Sequence, residues 1–350
     1  MTKPCIVFLY TELAGYIRAC MEHLARQGCE VHVFAYPVNA EAPFEFDPAG
    51  AACHYYPRFD YGREQLSEKV QSLSPHLVVC SGWIDKDYVA LCKRLRGQAA
   101  TVLALDNQLD GSMKAKASAL RAKVRFKPAF DLAWVPGAPQ VAFARAMGFA
   151  SGDIHTGFYT ADVTSFERAR GRRGGGPPAK RFVYVGRYID FKGVEALWEA
   201  FRTLDAPGWE LWCAGTGPLY DARPEMPGLR HLGFVQPADL DTFVGEGGVF
   251  VLPSLKEPWG VVVHEFAAAG FPMICSTAVG ASTAFLKEGE NGYTVRPGDV
   301  NALREAMERI AALAPTEIEA MGVVSAHLAA RYTRDTWTQT VMDIWAARKK

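Results

Sequence analysis

The sequence predicts an α/β protein made of two Rossmann-like domains, each a doubly wound parallel sheet, facing a central cleft. Three observations carry this. Short apolar runs alternate with helix-length amphipathic stretches along all 350 residues, the pattern of parallel strands joined by crossover helices. The beat is broken once, at residues 170–180, where RGRRGGGPPAK can continue neither a helix nor a sheet ladder. With 49% hydrophobic and 22% charged residues, a chain of this length suits two buried cores better than one.

In order, the first domain (1–165) has strand candidates at Cys5–Tyr10, Val31–Ala35, Leu77–Cys80, Thr101–Leu105 and Leu132–Val135. Helical stretches near 15–27, 61–72, 86–96, 112–125 and 138–147 separate them. A Gly/Pro-rich linker occupies 166–180. The second domain (181–333) places strands near Arg181–Val185, Glu210–Ala214, Leu229–Leu232, Val249–Leu252, Met273–Cys275 and Gly292–Val295. Its helices fall near 192–203, 238–245, 260–269, 300–313 and 317–330. The final segment, 334–350, carries Trp337, Val341, Ile344 and Trp345 at helical spacing. That apolar face must dock on one domain or the other, and a return to the first domain is one of the two options.

Composition excludes several function classes. Lys+Arg 38 balances Asp+Glu 38, so no global field recruits nucleic acid. The eight cysteines (5, 20, 29, 53, 80, 92, 213 and 275) contain no Cys-x-x-Cys pair and suit reduced thiols in a cytosolic core. No run reaches the ~18–20 apolar residues of a membrane-spanning helix, and the run ending at Tyr10 is too short for a secretory core. A cytoplasmic protein is expected, at the inner face of the membrane if its basic segment binds there. The eight histidines form no ligand cluster in sequence, so no metal is expected. Asp85-Lys86-Asp87 looks like a metal-binding Asp-x-Asp but opens a helix, where an Asp caps free N–H groups. Residues 111–130 hold Lys114, Lys116, Arg121, Lys123, Arg125 and Lys127 and no acid. Either this patch faces an anionic acceptor or lipid headgroups, through 114–127, or it is a solvated helix face.

Two stretches carry chemistry. In FVYVGRYIDFKGVEALWEAF, starting at Phe182, a strand ends at Gly186, Arg187 and Lys192 follow, and Gly193 opens a helix. Two cations beside free helical N–H groups suit a diphosphate; the alternative of equal weight is a pair of surface cations at a loop. In VFVLPSLKEPWGVVVHEFAAAGFPMICS, residues 249–276, a buried strand leads to Glu257, and a helix from Gly260 carries Glu265. A bidentate carboxylate suits the vicinal diol of a ribose. Gly215-Thr216-Gly217-Pro218 lacks the third glycine of a dinucleotide fingerprint, which counts against a dehydrogenase.

Together these stretches resemble the retaining glycosyltransferases of family four (glycosyl transferases group 1) on the two-Rossmann GT-B fold. The resemblance covers about 120 residues of the second half. It implies that Arg187 and Lys192 bind the pyrophosphate of a nucleotide-sugar and support the departing diphosphate. Glu265 would bind the ribose hydroxyls and Glu257 the donor sugar. The Trp259 and Gly260 amides would reach sugar or phosphate, Gly186 and Gly215 would let backbone approach the donor, and the base would lie near Phe234 and Val235. The first half matches less well. Gly15 stands for the family's Gly-Gly pair, and either lets backbone approach the donor or serves an ordinary turn. Asp106 and Asn107 stand where many members have a histidine, and Trp83 faces the expected cleft as a sugar platform or a packed aromatic. The expected activity is metal-independent transfer, without a cofactor, from a nucleotide-diphosphate sugar to a hydroxyl of a glycan, lipid-linked or small-molecule acceptor. Rivals are a nucleotide-sugar epimerase on the same fold and a non-catalytic nucleotide-sugar-binding protein.

Overall fold

The computed structural model describes residues 3–37, 50–109, 111–173, 178–236 and 244–347. The chain divides into two compact units, Met1–Thr160 with Thr333–Lys350, and Ala161–Tyr332.

In the first unit seven parallel strands lie in the order β3-β2-β1-β4-β5-β6-β7. They are β1 (Cys5–Tyr10), β2 (Glu30–Ala35), β3 (His54–Pro57), β4 (Leu77–Ser81), β5 (Ala100–Ala104), β6 (Leu132–Trp134) and β7 (Ile154–His155). Helices α1 (Gly15–Arg26), α2 (Arg63–Ser72), α3 (Lys86–Leu95), α4 (Met113–Arg125) and α5 (Ala138–Ala146) connect them. Every residue of β1 is buried, because helices cover both faces of a parallel sheet; hence its unbroken apolar run. Val7, Leu9 and Val78 pack into one core. Ile6, Phe8 and Val79 pack into the other, as a period of two requires.

The second unit holds six parallel strands in the order β10-β9-β8-β11-β12-β13. These are β8 (Arg181–Val185), β9 (Glu210–Ala214), β10 (Leu229–Gly233), β11 (Val249–Leu252), β12 (Met273–Ser276) and β13 (Gly292–Val295). Its helices are α6 (Thr164–Arg172), α7 (Val194–Arg202), α8 (Val261–Ala268), α9 (Ser282–Phe285), α10 (Val300–Ala311) and α11 (Pro315–Ala329). In each sheet the chain first builds outward on one side and then crosses back. The reversals fall between β1 and β4 and between β8 and β11, where the carboxyl ends of neighbouring strands splay and leave a crevice.

Four expectations are corrected or completed. Residues 164–172 of the segment read as linker and its approach are a helix, because Phe166 and Ala169 give α6 a buried face that its arginines and glycine disguise. The division between units accordingly falls at 160/161 and not at 165. Edge strands β3 and β7 are absent from the sequence prediction, since HYYP and a two-residue strand have no apolar run to betray them. The helix expected at 238–245 lies outside the described residues except at its last two positions. The final helix, α12 (Arg334–Ala347), belongs to the first unit. Its Trp337, 1% exposed, stacks on Phe8 at 5.9 Å, meets Trp134 at 4.9 Å and donates its indole N–H to Phe158 O at 2.9 Å.

Candidate functional site

The site in the second unit is built where β8 and β11 part. The turn after β8 and the turn after β11 touch through backbone. Leu255 N donates to Phe191 O at 2.8 Å, and Gly193, at φ +69°, lies so close that a Cβ would sit 2.4 Å from Pro253 O. Next to them Gly215, at φ +142°, packs against Gly186, and a Cβ there would sit 1.9 Å from Gly186 O. Gly215 N donates to Gly233 O at 2.7 Å, so the ends of β8, β9 and β10 are stitched into one rim. Glycine is required at these two crossings because both the positive φ and the missing side chain are used.

Onto this rim the sequence places its charged groups. Lys192, at the end of a single 3-10 turn, reaches across to Glu257, and Lys192 Nζ is bonded to Glu257 Oε2. Both side chains are mostly buried, at 17% and 11% exposure, so the pair is held in a setting less screened than bulk water. Arg187 is exposed at the same rim, its carbonyl accepting the Tyr184 hydroxyl at 2.9 Å. Gly260, left-handed at φ +90°, starts α8, and a Cβ on it would press Glu257 Cγ at 3.0 Å. The backbone of the acidic turn is fixed from the far side: Gly280 N donates to Glu257 O at 3.1 Å and Ala281 N to Trp259 O at 2.9 Å. Trp259 is buried, its ring edge-on to Phe285. Phe234 is half-exposed and Val235 partly buried just beyond β10.

Glu265 stands on the second turn of α8. Burial pushes its carboxyl up to about 7, with Asp162 adding a like charge. His264 beside it does not enter this site. Its Nδ1 accepts from Ala161 N at 3.1 Å, its Nε2 donates to Ala329 O at 3.2 Å, and it stacks on Phe285 at 4.5 Å. Burial holds this imidazole neutral, down to about 4. It is a bracket between α8, α11 and the start of the unit.

The first unit has its own crevice at the corresponding reversal. A cavity of about 530 Å³ is lined by Tyr10, Thr11, Ser81, Trp83, Asp106 and Asn107, among others. Trp83 is a wall of it and also a packed ring, stacked on Phe126 at 5.1 Å and 8°. Asp106 Oδ2 accepts the Tyr159 hydroxyl at 3.3 Å. Gly15 begins α1 beside the cavity-lining Ala14 and Tyr16, and a Cβ on it would meet nothing within 4 Å. Asp85 caps α3, accepting from Asp87 N at 2.8 Å and Tyr88 N at 3.2 Å, and pairs with Arg58.

Sequence reasoning missed three contributors. Tyr10 lines the first unit's cavity, and its hydroxyl is buried without a hydrogen-bond partner among the described residues. Tyr188, fully buried, ties the β8 and β9 turns together through Thr216 O and Leu219 N. Residues 280–281 clamp the acidic turn.

Residues 179–312 match the family described as Glycosyl transferases group 1. The second unit resembles that family over most of its length. Over 139 residues the chain is 32% identical to an uncharacterized glycosyltransferase of Methanocaldococcus jannaschii, covering 37% of this chain and 35% of that protein. It is 35% identical over 133 residues to a lipopolysaccharide core biosynthesis glycosyltransferase of Rhizobium meliloti, covering 37% and 38%. The chain thus matches little more than a third of the length of these relatives. Among solved structures, sucrose-phosphate synthase of Thermosynechococcus elongatus superposes with a TM-score of 0.73 at 19% identity, covering 99% of each chain. HepE of Anabaena, in complex with UDP and glucose, gives 0.67 at 17%, covering 98% of this chain and 100% of that one. These likenesses show the fold, two Rossmann-like parallel-sheet units of the GT-B class.

Proposed function

We propose that this chain is a retaining glycosyltransferase that moves a sugar from a nucleotide-diphosphate donor to a hydroxyl acceptor and needs no metal to do so. The observation that carries the reading is the Lys192–Glu257 clasp at the β8/β11 reversal beside the start of α8, inside the stretch that matches group 1. Breaking the bond between anomeric carbon and phosphate puts negative charge on the leaving diphosphate. Arg187, Lys192 and the amides at the start of α8 neutralise it, so their hold tightens as the bond breaks. Glu257 keeps Lys192 pointed at the rim. With donor bound, Glu257 accepts from sugar hydroxyls and Lys192 turns to phosphate. Glu265 accepts from the ribose diol, where two hydroxyl donors favour its ionised form. The acceptor hydroxyl attacks on the face that the diphosphate leaves, and the donor phosphate takes its proton. The two cations supply the charge that a bridging metal supplies elsewhere.

The first unit offers the acceptor side, through its 530 Å³ cavity. On α4, Met113, Leu120 and Val124 share one face and are 77%, 62% and 76% exposed. Lys114, Lys116, Arg121, Lys123 and Arg125 flank them, which suits an anionic lipid surface and an acceptor presented there.

The test is direct. Thermal shifts with UDP-, GDP- and ADP-sugars identify the donor, and UDP-glucose is tried first because HepE has been solved with it. Turnover is then followed with the product's anomeric configuration assigned and with EDTA present. Retention is expected, with EDTA changing the rate no more than it changes the melting temperature; inversion, or loss of rate on chelation with the melting temperature unchanged, overturns the mechanism. Conversion of donor alone to an isomer would make the chain an epimerase. Liposomes containing phosphatidylglycerol should retain the protein, and charge reversal at Lys116, Arg121 and Lys123 should release it.

A further inference from the structure

At the amino edge of the first unit's sheet, away from that unit's cavity at the carboxyl ends, strand register assembles a different kind of site. Cys5 opens β1 and Glu30 opens β2, directly opposite each other in the parallel pair. His32, two residues along β2, shares Glu30's face. One sulfur, one carboxylate oxygen and one imidazole nitrogen thereby come within 4.8 Å of one another, the one such cluster found among the described residues. We propose that Cys5, Glu30 and His32 bind a divalent transition metal, zinc by preference, with a water in the fourth position.

The geometry suits that ion in detail. His32 Nε2 and Glu30 Oε1 are 3.1 Å apart, close to the roughly 3.3–3.7 Å between neighbouring ligands on a tetrahedral zinc. The 4.8 Å limit of the cluster leaves side-chain rotation to close the remaining edge. The ring is already aimed: its Nδ1 lies 3.1 Å from the Tyr56 hydroxyl, and its face stacks on His54 at 4.8 Å. A hydroxyl both donates and accepts, so Tyr56 can receive the Nδ1 proton when Nε2 turns to a metal, with no heavy atom moving. Glu30 is half-exposed and gives the ion a path in from solvent, while Cys5 and His32 are buried. A thiolate, an imidazole and a carboxylate together favour zinc over the hard cations that want oxygen alone.

Binding is an exchange of one proton for one metal bond: the Cys5 S–H loses its proton to solvent and the sulfur lone pair goes to the ion. Burial and the nearby Glu30 keep that thiol protonated up to about 11 without metal, so the ion must displace the proton. Burial also holds the His32 ring below its usual range, in the neutral form that ligates. The ion would pin β1 to β2 at their first residues and stabilise the first unit, and the inference stands whether or not the transferase reading does.

The experiment uses the full chain, freed of metal by a chelator and titrated with Co²⁺. A thiolate-to-cobalt charge-transfer band with tetrahedral d–d absorption should saturate at one equivalent and be displaced by Zn²⁺, which should also raise the melting temperature. Cys5→Ser should abolish the charge-transfer band. Glu30→Gln, on a half-exposed side chain that any fold tolerates, should weaken binding at least tenfold. Tyr56→Phe should weaken it about 10- to 100-fold, the effect usual for a group that orients a ligand. No charge-transfer band at millimolar Co²⁺, or a band unchanged in both Cys5→Ser and Glu30→Gln, overturns the site.

Discussion

Lys192 and Glu257 form an ion pair in which each partner is needed by something else, and the consequences of removing either differ. On the proposed mechanism Lys192→Ala deletes charge that is felt most when the diphosphate departs, so kcat should fall by about 10²–10³ with a smaller change in KM. Glu257→Gln keeps the shape but frees Lys192, so nucleoside diphosphate should bind at least as tightly as to wild type while turnover drops by a similar factor. Calorimetry with the diphosphate and initial rates with the sugar donor separate the two; parallel losses of binding in both variants would contradict these roles. Glu265 makes a different prediction, about stability. Its folded-state value near 7 lies above the ordinary 4.5, so the native state holds the proton more tightly than the unfolded chain does. Stability is therefore lost as pH rises from about 4.5 to 7 and stays lost above, by up to about 3 kcal/mol. Glu265→Gln should raise the melting temperature at pH 8, gain little at pH 4.5, and weaken nucleotide binding. A variant less stable than wild type at pH 8 would show that the carboxylate is held by interactions the glutamine cannot replace.

At the scale of elements, the rim depends on turns that cross with no room for side chains. Gly193 and Gly215 combine positive φ with a Cβ position 2.4 Å and 1.9 Å from a carbonyl oxygen. Gly28 also has a positive φ, +97°, but faces open space. Gly28→Ala should therefore cost about 1–2 kcal/mol, the conformational strain alone. Gly193→Ala and Gly215→Ala should cost more, because the turns must also separate, and donor affinity should fall at least tenfold; urea titrations of the three variants give the comparison. The same elements show what the sequence reveals and what it hides. Strands such as β1, β8 and β11 are legible because burial on both faces leaves an unbroken apolar run. β3 and β7 sit at sheet edges, where half-exposed polar residues are allowed, and α6 is masked by Arg168, Arg170 and Arg172, set between and after its two buried positions. Arg187, Lys192, Glu257 and Glu265 stand out in the sequence because each lies at a strand end or helix start with a chemical reason to be there. The contact of Lys192 with Glu257, the clamp at 280–281 and the Cys5–Glu30–His32 cluster do not, since each joins residues that only strand order and register bring together.

The last helix completes the first unit, although the chain reaches it only after the whole of the second. The chain leaves the second unit at Tyr332 and returns α12 to the first, where Trp337 enters a cluster with Phe8, Trp134 and Phe158. Val341 and Ile344 are fully buried on the same face, and Met342 meets the Cys29 thiol at 3.6 Å. A domain whose core is completed by residues nearly 200 positions downstream cannot reach its final stability until the second unit's sequence has been made. Trp337→Ala removes a large buried ring and a bonded indole N–H, an expected loss of about 3–5 kcal/mol, much of the ~5–15 kcal/mol a domain commands. The loss should be local. Hydrogen exchange should show protection falling in β1, β4, β5 and β6 while β8, β11 and β12 keep theirs, because α12 packs on the first unit's sheet and core. Trp345, at the far end of the same helix, meets His76 edge-on at 6.3 Å near the surface, and Trp345→Ala should give a much smaller change with the same distribution. Protection lost equally in both sheets would mean that the two units unfold as one and that α12 is a strut for the whole chain.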